Sequence, residues 1–233
     1  MITELDNESR KVGPKINLQK TIVMYNNLGR EQRFDIRNSP LQVVEDYVYL
    51  GQVITAELNH EINITRRIRM GWSTFGKHSQ IMTCRLPLSL KRKVYNSCIL
   101  PVLSYGAETW RLTKRIQLKL RTTQRAMERK LVGVTLRDKK KAEWIREQTG
   151  VKDIVEIKKK KWTWAGHVAR RQDNCWSLRV TNWIPREGKW VRGRRKVRWA
   201  DEIEKFAGIN WQQQAQDLVN WRNMGEAFVL QWT

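Results

Sequence analysis

The 233-residue sequence predicts a mainly α chain with a small α+β piece at its N-terminus. Three observations lead there. Apolar residues recur at helical spacing from residue 57 onward, helix start and stop signals bracket those stretches, and β-prone alternation is confined to the region before them. A first helix is expected over Ile2–Val12, ended by Gly13-Pro14. The β-prone Thr21–Tyr25, a turn at Asn26–Gly29 and a return strand near Phe34–Ile36 follow, and Val43–Ile54 reads as a strand or hairpin arm. Such edges need a partner sheet, because a lone hairpin is marginal in water. Ile62, Ile64, Ile68, Trp72 and Phe75 then mark a helix with Arg66, Arg67 and Arg69 interleaved. After Pro87 a second runs from about Leu88 through Lys91, Arg92 and Lys93 toward Leu100, interrupted at Pro101 and ending near Gly106. A third, opened by Thr113 and carrying Ile116, Leu120, Met127 and Leu131, stops at Gly133 and completes a three-helix unit. Shorter helices are expected at Asp138–Thr149 and from Asp153, joined by Gly150-Val151-Lys152. Beyond Arg171 the chain reads as irregular until a short helix near Asp201–Ala207 and a last one from Trp211 to Gln231. The boundaries drawn from this pattern are 1–56, 57–135 and 136–233.

Charge says what such a chain meets. Lys and Arg number 45 against 23 Asp and Glu, a formal net charge of +22, distributed as −1 over residues 1–60, +15 over 61–150 and +8 over 151–233. A surface of that sign repels itself unless a polyanion neutralises it, so RNA and DNA are the expected partners. No apolar run approaches the ~20 residues that span a bilayer, and the N-terminus lacks a signal-peptide pattern, so no membrane partner and an intracellular location, nucleus or cytoplasm, are expected. Cys84, Cys98 and Cys175 are too scattered for a disulfide framework or a zinc site, and His60, His78 and His167 show no ligand spacing, so no metal site is assigned.

Tryptophans stand beside basic clusters in the last third: Lys158, Lys159, Lys160 and Lys161 before Trp162 and Trp164, then Trp183 and Trp190, then Arg192, Arg194, Arg195 and Lys196 before Trp199. Basic groups grip phosphates and flat rings offer stacking faces. Trp110, Trp144 and Trp164 are expected to pack, whereas Trp183, Trp190 and Trp199 are the stacking candidates. The Thr149-Gly150-Val151 link looks like a helix-turn-helix, yet Arg146 and Glu156 stand where that motif wants a small and an apolar residue, so an ordinary αα-hairpin is preferred. Phosphate-loop, zinc-protease and nucleophile-elbow motifs are absent. Glu45 and Asp46 would point to opposite faces of a strand, and Glu202 and Glu204 read as a solvated helical face balancing nearby arginines.

Several segments, in one order, resemble the C-terminal part of the reverse transcriptase of LINE-type, non-long-terminal-repeat retrotransposons, RTE-like in kind. They are Val12-Gly13 followed by Lys15-Ile16-Asn17 and Lys20-Thr21, then Tyr47–Gly51, Arg66-Arg67-Ile68, Leu100–Trp110, Gln124–Arg129, Trp164–Arg170, and Arg192-Gly193-Arg194 with Arg198-Trp199 and Asp201. The resemblance implies a palm remnant with a primer-grip-like hairpin over 1–56, a helical thumb over 57–135 and a basic, Trp-rich C-terminal segment over 136–233. It implies that Lys20 lies near the incoming nucleotide and that Tyr49, Leu50 and Gly51 belong to the primer grip. A thumb holds a duplex by its backbone, which suits exposed cations without base readers. The expected nucleic-acid contacts are Arg66, Arg67, Arg69, Lys91, Arg92, Lys93, Lys158, Lys159, Lys160, Trp190, Arg192, Arg194, Arg195 and Lys196.

The family's Ala-Asp-Asp strand, whose carboxylates hold two divalent ions, expected to be magnesium, would lie upstream of Met1, so no cofactor is expected in this chain and it is expected to be inactive alone. Pro14 and Ile22 replace a Leu and a Lys of the family pattern. Three functions stay open: a nucleic-acid-binding, catalytically incomplete part of a reverse transcriptase, an independent RNA- or DNA-binding protein derived from such an element, and part of an active polymerase completed by an upstream region.

Overall fold

Helix α1 (Ile2–Val12) stops where Gly13 turns to a φ of 102°, which only glycine adopts freely, ahead of Pro14. The computed structural model describes residues 2–25, 33–55, 60–171, 173, 175–183 and 198–230. These are 64% helical and 8% strand, a mainly α protein. They divide into two compact units, residues 1–63 and 64–233.

In the first unit α1 buries one polar side chain, Asp6, which Arg37 grips through two guanidinium nitrogens. That pairing holds Asp6 below the ordinary carboxylate range. Strand β1 (Ile22–Val23) does not pair with the expected return strand: it runs parallel to β4 (Gln42–Val43), while β2 (Asp35–Ile36) folds back on β3 (Ser39–Pro40). The reason is local. Arg37 and Asn38 both have positive φ, the two-residue turn whose twist matches a hairpin, so β2 finds its partner next door. The expected turn at Asn26–Gly29 lies outside the described residues. Strands β5 (Asp46–Tyr49) and β6 (Gln52–Thr55) form a second hairpin through Leu50 and Gly51, again both at positive φ. Helix α2 (His60–Lys77) is tied to β6 by Asn63, whose buried carboxamide donates to the Val53 carbonyl and accepts from the Val53 N–H.

In the second unit two apolar cores lie in sequence. The first gathers Ile64 and Phe75 of α2, Met82 of α3 (Ser79–Thr83), Tyr95, Ile99 and Leu103, Trp110, and the buried face of α6 (Lys114–Val132). Helix α4 (Leu88–Val94) runs into α5 (Leu100–Leu103) through a π-turn at Tyr95–Ile99. Pro101 has no N–H and its ring would meet the carbonyl four residues back, so a widened turn lets the helix continue where the sequence predicted a break. Helix α6 carries the two signals read from the sequence: the Thr113 hydroxyl accepts from the Ile116 N–H, and Gly133 caps it at a φ of 77°. Helix α7 (Ala142–Thr149) ends at Gly150, and a 3-10 turn at Ile154–Glu156 leads into α8 (Ile157–Arg170). This first core reaches Val151, Ile154 and Ile157, on both sides of residue 135.

The second core is aromatic. Trp162 of α8 stacks on Trp221 at 3.9 Å between ring centroids, and each indole N–H donates to the other's backbone carbonyl, at 2.7 and 3.0 Å. Phe228 and Trp211 close the cluster with Ile203 of α10 (Asp201–Ala207). Gly166 and Gly225 make that stacking possible, because a Cβ on either would sit 2.5 or 2.7 Å from the facing indole. The last helix is two, α11 (Trp211–Gln214) and α12 (Leu218–Leu230), because Asp217 turns its carboxylate back to the N–H groups of Val219 and Asn220 and starts a new helix. Two helices went unforeseen: α3, and α9 (Trp176–Asn182), whose Trp176 and Val180 stay mostly exposed. Among the described residues no helix is long and apolar enough to cross a membrane.

Candidate nucleic-acid interface

The expected phosphate contacts separate once helical phase is fixed. Arg69, Arg92, Lys93, Lys159 and Lys160 are exposed and Arg66 is half-buried. Arg67, Lys91 and Lys158, expected to face phosphates, are instead buried. Arg67 lies 4.2 Å over the Tyr105 ring, and burial pulls its guanidinium below its ordinary range. Lys91 donates to the Leu131 carbonyl at 2.9 Å, a cation closing the C-terminal end of α6 rather than reaching outward. Lys158 packs beside Leu112, Leu120 and Ile154. Trp190, Arg192, Arg194, Arg195 and Lys196 lie outside the described residues. In the first unit Lys20 is exposed at the turn before β1, where Asn17 accepts from its backbone N–H, and Tyr49, Leu50 and Gly51 form the exposed end of the β5–β6 hairpin.

Lys158 yields a pH dependence. Burial, reinforced by Lys161 and Arg121 against the opposing pull of Glu202, pushes its ammonium down to about 8 from 10.5. A lysine lowered on folding penalises the native state while both states are protonated, and the penalty fades as pH rises through the window between the two values. Lys158→Met is therefore expected to be more stable than the unaltered chain at pH 7, with the gap closing between pH 8 and 10.5 in urea unfolding series. A gap that stays constant across that window would place Lys158 in solvent.

Some carboxylates of this unit turn inward, while others, Glu143, Glu147 and Glu226 among them, stay exposed. Glu128 is buried against Arg125 at 2.6 Å, and burial raises it above the ordinary carboxylate range. Asp153 meets Arg125 and Arg146. Glu202, read as solvated, instead pairs with the buried ammonium of Lys161 at 2.8 Å, while Asp201 and Glu204 take Arg198. These acids therefore leave cations such as Arg92, Lys93, Lys139, Lys140 and Lys141 to set the sign of the surface. Arg92 rests against Gly150, two residues from Lys152, so the basic surface continues from α4 across the end of α7.

At that edge lies a groove of about 550 Å³. Asn96, Leu100, Pro101 and Ser104 supply one wall. The other is the exposed stripe of α8, Lys160, Thr163, Trp164 and His167, at three- and four-residue spacing. Lys160 bridges the walls, donating to the Ser104 hydroxyl at 2.8 Å, and the Lys152 N–H donates to the Asn96 side chain. Trp164, expected to pack, is 43% exposed here, whereas Trp162 two residues earlier is 1% exposed. Trp199, a stacking candidate, instead donates its indole N–H to the Glu108 carbonyl and lies 5.3 Å from the Lys161 ammonium. Two of the segments that carried the resemblance, Leu100–Trp110 and Arg198-Trp199, thus touch through the Trp199–Glu108 hydrogen bond.

A transposon-derived protein of Caenorhabditis elegans is 35% identical to this chain over 214 residues, which are 88% of the chain and 77% of that protein. The chain belongs to this transposon-derived family. No family profile and no solved structure matches it. Across this transposon-derived chain the described residues hold no group of three or more His, Cys, Asp or Glu side chains placed to take a metal ion.

Proposed function

We propose that the chain is a nucleic-acid-binding part of a retrotransposon reverse transcriptase, of the LINE-type, RTE-like kind, and that residues 1–233 bind RNA and DNA without polymerising. The observation that carries this is the exposed cationic surface of residues 64–233, left positive while Glu128, Asp153 and Glu202 are turned into internal pairs. Phosphate backbones are the polyanion such a surface fits, and scattered lysines and arginines favour affinity over sequence choice. The order of the family-like segments and the transposon-derived relative support the same origin. That relative's name also supports a second reading, a binding protein derived from a mobile element and working apart from a polymerase, in the nucleus or cytoplasm. Fluorescence anisotropy with RNA, DNA and hybrid duplexes of two unrelated sequences tests both. Comparable affinity for the two sequences is expected, with no primer extension in magnesium or manganese. Failure to bind at low salt would refute the reading, as would template-dependent incorporation abolished by mutating this chain.

A further inference from the structure

We infer that the groove between α5 and α8 holds an unpaired nucleobase stacked on Trp164, an inference that rests on the nucleic-acid reading above. The groove is concave, of a size typical for small ligands, and its apolar lining includes Leu100, Pro101 and Ile157. A large ring left 43% exposed there, on a helix whose other tryptophan is buried, offers a face with solvent on it. The polar lining decides which part of a strand enters. Lys152 and Lys160 line it beside Glu108 and Glu156, and the Lys160 ammonium is already held by the Ser104 hydroxyl, so a phosphate would meet carboxylates as well as ammonium groups. A base edge carries donors and acceptors together and suits such a mixed lining, with its flat apolar face on the indole. Phosphates on either side of that base then meet the exposed cations outside the groove, Arg92 and Lys93 among them. Bases in a duplex are already stacked and paired, so the groove selects single strands, loops and frayed ends.

The test uses the full chain with short single-stranded RNA and DNA oligomers and the matching duplexes. Trp164→Ala is expected to lose about 5- to 150-fold in affinity for the single strands, the range for one stacked base, while duplex affinity changes less than twofold. Trp164→Phe keeps a stacking face and should recover most of the loss. Thr163→Trp, placing a ring in the groove from an exposed position, should weaken single-strand binding as Trp164→Ala does. Circular dichroism melts of all three should match the unaltered chain, since both positions are exposed. Equal losses on single strands and duplexes, or unchanged single-strand affinity, would overturn the inference while leaving the wider reading intact. A loss confined to RNA would overturn it in favour of a contact to the 2′-hydroxyl. An unaltered chain that binds neither form overturns both.

Discussion

Replacing Trp162 by alanine is expected to cost residues 64–233 about 3–5 kcal/mol, the usual range for deleting a buried aromatic. Trp162 is 1% exposed, stacks on Trp221, packs against Phe206 and Phe228, and donates to the Trp221 carbonyl. Truncation removes all of these contacts and leaves that carbonyl and the Trp221 ring facing a void. Domains are stable by only about 5–15 kcal/mol, so the loss is a large share of the total and should lower the melting temperature by roughly 6–20 °C. Trp162→Phe fills most of the space but orphans the carbonyl, so an intermediate loss is expected. Urea unfolding followed by far-ultraviolet circular dichroism measures each. A cost below about 1 kcal/mol for the alanine variant would mean that the second core holds without its central ring. Gly166→Ala approaches the same core from the other side, pressing a methyl group into the Trp221 indole, and should destabilise although it removes no contact.

What could be read from the chain was what neighbouring residues decide. Thr113 and Gly133 delimit α6 because capping and positive φ are properties of single positions, and the extent of α1 followed from Gly13-Pro14 for the same reason. Pro101 misled, because its conflict with the helix is resolved by the π-turn, an adjustment that packing of Tyr95 and Ile99 supports from outside the local sequence. The break at Asp217 is a local capping signal that sits after the glutamine-rich Gln212–Gln216, where helical periodicity alone runs on. The parallel pairing of β1 with β4 joins strands about twenty residues apart, beyond what alternation within either can show. Of the groove, one wall was legible: residues 160, 163, 164 and 167 share a helical face. The other wall, Asn96 to Ser104, reaches that face only through folding, so the sequence offered no reason to treat Trp164 differently from Trp162.

Binding by the full chain should fall steeply with salt, and the dependence should sort the basic residues that composition lumps together. If six to ten phosphates are contacted, affinity drops about 10³- to 10⁵-fold between 50 and 200 mM salt, with a slope near −0.9 per contact on duplex DNA. Arg92→Ala combined with Lys93→Ala removes two exposed cations of α4 and is expected to flatten the slope by about two. Lys91→Ala, the adjacent position, removes the same formal charge but should leave the slope unchanged, because its ammonium closes α6 by donating to the Leu131 carbonyl inside the protein. Its effect should appear in unfolding instead, as the loss of a buried hydrogen bond from a charged donor, about 1.5–3 kcal/mol. The same division is expected on α2, where Arg69→Ala should change the slope and Arg67→Ala, buried over Tyr105, should change stability. A slope altered by Lys91→Ala and untouched by Arg92→Ala and Lys93→Ala would mean that the ligand approaches the opposite side of α4, and would remove the exposed surface that supports nucleic-acid binding.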